Sequence, residues 1–133
     1  MRKEREGWTY PAYRLRPDRA LAAKYLEAQG EAADLAAVPL TYMIFLRGEA
    51  QGVDLFKDLD IPRDKALHGG QRYEWHAPIG WDDALDVTAT VERITEKTGK
   101  NGTLWFADVA YEYRRARDGA LALRELTRII KRS

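Results

Sequence analysis

The chain offers few residues with which to do chemistry. Its 133 residues include no cysteine and two histidines, which removes thiolate nucleophiles, disulfides and cysteine-ligated zinc or iron–sulfur centres together. His68 and His76 stand eight residues apart in what reads as one strand, a reach of about 26 Å if fully extended. One metal ion cannot bridge that distance within a chain, so a solvated or interface role is the default for each. Asp54, Asp58, Asp60 and Asp64 alternate with Lys57, Arg63 and Lys65. A calcium loop needs a central glycine and a closing glutamate at fixed spacing; neither is present, and the run reads as a solvated segment. Arg114, Arg115, Arg117, Arg124, Arg128, Lys131 and Arg132 give the C-terminal part a local basic excess. Such a stretch suits a sheet edge that resists further pairing, or a surface that meets phosphate groups. No glycine-rich phosphate loop opens a helix and no Gly-x-Ser-x-Gly elbow occurs.

Composition sets the frame for these residues. Hydrophobic residues make up 45% and aromatic residues 11% of the chain, a globular and not a disordered balance. Lys plus Arg number 22 against 21 Asp plus Glu, so no general field for nucleic acid exists. No apolar run approaches the ~20 residues of a membrane span. Met1 to Glu6 carries basic residues without an apolar stretch behind them, unlike a secretory signal. The expectation is one cytoplasmic domain over residues 1–133, with no membrane and no nucleic acid among its partners.

The elements that must position any site follow from periodicity. Trp8 to Leu15 reads as an opening strand interrupted by Pro11. Pro17-Asp18 starts a short helix that stops at Gly30. From Pro39, the residues Leu40, Tyr42, Met43, Ile44, Phe45 and Leu46 are apolar on every side, the mark of a buried helix. Val53 and Phe56 prolong its stripe towards Pro62, and Gly48 and Gly52 fall four apart on one face, where another backbone would approach closely. Four strands follow. In 67–76, Gln71, Tyr73 and Trp75 share one face while His68, Arg72, Glu74 and His76 share the other. In 85–93, Leu85, Val87, Ala89 and Val91 form a clean apolar face. In 103–114, Trp105, Ala107, Val109, Tyr111 and Tyr113 share a face; 121–130 is more mixed. Tight-turn residues at 98–102 and 117–120 predict an antiparallel meander of the last three strands. The layout is α+β, a sheet wrapped on a buried helix. A monomer leaves the outer face and edges of such a sheet short of partners, so a dimer is expected.

Three segments carry a resemblance. Ala37-Val38-Pro39-Leu40-Thr41-Tyr42 is similar to an Ala-Pro-x-Thr-aromatic approach to a central helix. Leu67-His68-Gly69-Gly70-Gln71-Arg72-Tyr73-Glu74-Trp75-His76-Ala77-Pro78 is similar to a Leu-His-Gly-x-Gln-x-aromatic-x-aromatic-His-x-Pro strand. Asp83-Ala84-Leu85 matches a Gly-Asp-x-Leu turn, with Asp82 in place of the glycine. Together they resemble the MaoC-like hot-dog proteins, and within them the N-terminal, FAS1-like dehydratase domain.

The resemblance implies a long central helix wrapped by a curved antiparallel sheet of about five strands, paired with a second hot-dog domain or with itself. It implies acyl thioesters of CoA or carrier protein as ligands, no further cofactor and no metal. The implied reaction is reversible hydration of a trans-2-enoyl thioester to an (R)-3-hydroxyacyl thioester. Active relatives carry Asp and, five residues later, His before the central helix. Here Leu40 and Thr41 stand where His-Gly is expected, and Asp34 has no histidine after it. The chain is therefore expected to be the non-catalytic half of a hydratase, with Leu40, Thr41, Tyr42, Met43 and Phe45 near the acyl groove. Asp34 and His68 are the reserve candidates for a base. A homodimer that binds an acyl thioester without catalysis, and an active hydratase or thioesterase, are the alternatives.

Overall fold

The computed structural model describes residues 1–30, 35–39 and 48–133. Five strands form one antiparallel sheet: β1 (Tyr13–Leu15), β2 (Ala66–Trp75), β3 (Leu85–Gly99), β4 (Gly102–Arg115) and β5 (Leu121–Arg132), in the spatial order β1-β3-β4-β5-β2. The meander of β3, β4 and β5 forms as the turn residues require. Lys100 and Asn101 alone link the paired Gly99 and Gly102, and Asp118 closes the second turn by accepting the Ala120 N–H at 3.1 Å. The helix α1 (Arg19–Ala28) begins where Asp18 accepts the Leu21 N–H at 3.1 Å, an N-cap that satisfies a donor the helix cannot.

Strand alternation gives the sheet one buried face. Leu85, Val87, Ala89 and Val91 of β3 stand beside Tyr113, Tyr111 and Val109 of β4, which stand beside Leu123, Glu125 and Thr127 of β5. Nearly all are fully buried, each large apolar side chain contributing ~1.5–3 kcal/mol. Ala22 of α1, Val38, Val53, Leu55, Leu59, Ile61 and Ile79 belong to the same core. Tyr10 ties the N-terminal segment in: its N–H donates to the Ala89 carbonyl at 2.9 Å and its hydroxyl to Asp58 at 2.8 Å. Burial and then the Asp58 carboxylate push its phenol pKa upwards, so the hydroxyl stays a donor.

The outer face is charged and internally paired. Arg14 meets Asp86, Arg128 meets Asp108, and Arg124 lies between Glu74 and Glu92. The C-terminal basic excess is absorbed in the same way: Arg114, Arg115, Arg117 and Lys131 pair with Glu112, Asp118, Asp83 and Asp60, and Arg132 donates to the Asp64 carbonyl.

Three expectations need correction. The opening strand is ordered as β-structure only at Tyr13–Leu15, with a single bridge from Thr9 to Thr90, because Pro11 withholds a ladder donor. The helix expected to run on to Pro62 does not continue as one element. Gly48–Gln51 is a 3-10 turn, Gly52 has φ +96°, and a separate short helix α2 spans Leu55–Asp58. Gly48 accommodates the Tyr13 ring rather than a backbone, since a Cβ there would lie 2.6 Å from it. Finally, His68 is not on the face of Arg72 and Glu74. A bulge between His68 and Gly70 shifts the register, so His68 faces Ile129 while Gln71 faces Thr127; a bulge residue moves everything beyond it by one face.

Candidate functional site

The bulge builds a polar cluster on the buried face. Gly69 permits it, because a Cβ there would stand 2.8 Å from Arg128 Cγ and Ile130 Cγ1, and Gly70 adopts φ +156°. With the register shifted, His68, Gln71, Tyr73 and Trp75 of β2 lie opposite Ile129, Thr127, Glu125 and Leu123 of β5. Glu125 is 0% exposed, a position that a carboxylate occupies only when hydrogen-bonded. Its Oε2 accepts the Tyr113 hydroxyl at 2.9 Å and its Oε1 accepts a short hydrogen bond from Gln71 Nε2.

The polarity of the cluster is fixed by its acceptor. The Gln71 amide turns its nitrogen to Glu125 and its oxygen outwards. That oxygen accepts the Thr127 hydroxyl at 2.8 Å and lies 3.2 Å from His68 Nε2. An amide oxygen only accepts, so His68 donates to it from Nε2. Tyr113 is held in its neutral form: burial first, and the negative Glu125 next, push its pKa well above the usual phenol value. The arrangement supplies oriented donors, a buried carboxyl group and one exposed imidazole.

Among the remaining candidates, His76 is exposed and its backbone N–H donates to the Ala122 carbonyl at 2.8 Å, an end-of-strand role. Asp34, Leu40, Thr41, Tyr42, Met43 and Phe45 lie outside the described residues. The aspartates suspected of imitating a metal loop are occupied otherwise. Asp54 caps α2 by accepting the Lys57 N–H at 3.2 Å, Asp58 holds Tyr10, and Asp60 pairs with Lys131 at 3.2 Å. Among the described residues no three His, Cys, Asp or Glu side chains cluster as metal ligands.

Sequence reasoning passed over Glu125, Tyr113 and Thr127. The signal was a glutamate in phase with Leu123 and Ile129, on the apolar register of its strand.

A family model described as the FAS1-like, dehydratase domain region matches residues 23–124. No curated protein matches in sequence. In structure the chain is similar to the HadBC (3R-hydroxyacyl-ACP dehydratase) complex from Mycobacterium tuberculosis, at 19% identity and a TM-score of 0.75, covering 98% of this chain and 99% of that one. It is also similar to HtdX from Mycobacterium tuberculosis, at 24% identity and a TM-score of 0.72, covering 94% of this chain and 51% of that one. A third likeness is to the ChsH1-ChsH2 complex from Mycobacterium tuberculosis, at 15% identity and a TM-score of 0.63, covering 92% of this chain and 83% of that one. The chain thus spans the whole of the matched HadBC chain but about half the length of HtdX. The fold is α+β hot-dog. Among the described residues no helix is long and apolar enough to cross a membrane.

Proposed function

The chain belongs to the FAS1-like dehydratase domain family, and from that premise we propose that it is the partner half of an (R)-specific enoyl-thioester hydratase. In this reading it shapes the acyl groove while a second, MaoC-like hot-dog subunit supplies the Asp/His pair. The reaction adds water across a trans-2-enoyl thioester: hydroxyl to C3, proton to C2. It needs a base for the water and donors for the thioester oxygen, and no further cofactor.

One observation carries the proposal. The only two histidines of the chain are on or next to β2, and none lies in the stretch before and after Pro39, where the family places its base. Asp34, if it took part, would act without that partner. Leu40, Thr41, Tyr42, Met43 and Phe45 would line the groove at the helix start. The site would work in the cytoplasm on thioesters of CoA or carrier protein.

The sheet edge supports a second subunit. Among the described residues β2 is bonded to β5 on one side and ends the sheet on the other, and an edge strand is a surface that proteins normally cover or pair. A second reading draws on the same strand. In an antiparallel pair of β2 edges centred on Tyr73, Arg72 of each copy would face Glu74 of the other, a complementarity that suits a homodimer binding an acyl thioester without catalysis.

Co-expression separates the two. Stable co-purification of the chain with a MaoC-like hot-dog subunit, at one-to-one stoichiometry, is the expected result. A homodimer that excludes every such subunit would favour the second reading and overturn the first.

A further inference from the structure

The outer face of the sheet is not uniform. At one end Arg14, Arg114 and Arg124 each meet a carboxylate, of Asp86, of Glu112, and of Glu74 and Glu92. Towards the β3–β4 turn that pairing thins out and apolar side chains come to the surface. Of the three large apolar side chains exposed among the described residues, Leu67 at 44% and Leu104 at 40% stand there.

Strand register orders this end into rows that run across the strands. Thr95, Phe106, Ile130 and Leu67 are successive partners in β3, β4, β5 and β2, a row that is apolar but for the threonine. Lys97, Leu104 and Arg132 form the row on one side of it, and Arg93, Asp108 and Arg128 the row on the other. The Phe106 ring is centred 5.7 Å from Lys97 Nζ and 5.7 Å from Arg128 Cζ, a cation from each flanking row. Arg128 is taken up by Asp108. Arg93 and Lys97 meet no carboxylate among the described residues, and Arg132 donates to the Asp64 carbonyl, which leaves its charge unneutralised. Gly69 lies beside Ile130, where a Cβ would stand 2.8 Å from Ile130 Cγ1, and so adds nothing to cover it.

The dimensions select an occupant. Three strand spacings of about 4.8 Å make the apolar row ~14 Å long, the length of roughly ten helical residues. The cationic rows lie about 7 Å to either side, within reach of long side chains on a helix ~10 Å across.

We infer that this end of the outer face docks an acidic amphipathic helix of a partner protein. Its apolar stripe rests on Phe106, Ile130 and Leu67, and its carboxylates meet Arg93, Lys97 and Arg132. A second copy of the chain is disfavoured, because two such faces would set cations against cations. A stripe one residue wide suits a helix rather than a lipid surface, into which an apolar face sinks ~5–10 Å. The surface is opposite the core, and a strand added at β2 would prolong the sheet and leave this face open. It is therefore independent of the hydratase reading.

The test is fluorescence anisotropy of two labelled helical peptides of roughly four turns, titrated with the purified chain in the oligomer it forms. Both carry leucines three and four apart on one face; one has glutamates on both sides of that stripe, the other lysines. The expected result is saturable binding of the glutamate peptide alone, weakening as salt rises. Leu67→Ser combined with Leu104→Ser should weaken it roughly tenfold or more. Arg93→Glu combined with Lys97→Glu should weaken it at least as far. All four side chains are exposed, so both variants should keep the wild-type urea midpoint. No saturable binding of the glutamate peptide, equal binding of the lysine peptide, or binding that survives both variants overturns the inference. Where the glutamate peptide does not bind, sedimentation with phosphatidylserine vesicles that the variants abolish would put a lipid surface in its place. Self-association that the leucine variant abolishes would put a second copy there.

Discussion

Removing the Tyr113 hydroxyl is the most informative small perturbation of the buried cluster. Tyr113→Phe keeps the ring that packs in the core and deletes one donor, 2.9 Å from Glu125 Oε2. A hydrogen bond to a buried carboxylate is worth ~1.5–3 kcal/mol. The expected loss is therefore ~2 kcal/mol, a large share of the ~5–15 kcal/mol that stabilises a domain. Glu125→Leu removes the acceptor shared by the Tyr113 hydroxyl and the Gln71 amide and should cost ~3–5 kcal/mol, as breaking a buried charged interaction does. In the Glu125→Leu background the hydrogen bond to Glu125 is already gone, so adding Tyr113→Phe should cost less than it does in the wild type. The cycle then gives a coupling of up to ~2 kcal/mol, within the range found for residues in one network. Urea unfolding of the four proteins at constant pH, with unchanged slopes, reads it out. A Tyr113→Phe loss below ~0.5 kcal/mol, or additive losses in the cycle, would refute the reasoning.

Three further outcomes follow from local geometry. Gly69→Ala places a methyl group against Arg128 and Ile130 and should cost ~1–3 kcal/mol as overpacking, with loss of the His68–Gln71 contact in nuclear magnetic resonance spectra. Asp18→Ala removes the cap of α1 and should lower stability by ~0.5–2 kcal/mol, measured by thermal melting. The Asp118 carboxyl is held below its ordinary value of 3.8, first by the Ala120 N–H and then by Arg115. A depressed carboxylate stabilises the fold above its unfolded value and loses that contribution as pH falls through the folded one. Asp118→Asn should accordingly flatten the acid limb of the stability profile below about pH 4, while an unchanged acid limb would show that the turn contributes nothing.

The meander was legible because β3 and β4 alternate with a period of two and each is followed by a glycine-containing turn. The alternation of β3 breaks after Val91, where a second bulge brings Ile94 opposite Ala107; one extra residue reverses every later face, and periodicity has no means of placing it. The same cause misplaced His68. Gly69 and Gly70 have no side chain to betray which face they serve, and their bulge is defined only against β5. Glu125 was readable as a charge on an apolar register, yet its partner Gln71 is 54 residues off in sequence. The helix continuation past Gly48 failed for a local reason, since apolar stripes do not register the positive φ at Gly52.

The central claim is that this chain lacks its own base and works with one from a second subunit. Hydration of crotonyl-CoA, followed by loss of the conjugated-thioester absorbance, tests it with the chain alone and with a co-expressed MaoC-like subunit. The account predicts turnover in the mixture alone, abolished by replacing the Asp or His of that subunit and retained in His68→Ala of this chain. Robust turnover by the purified chain alone, lost in His68→Ala, would contradict it and make the exposed imidazole on Gln71 the missing base.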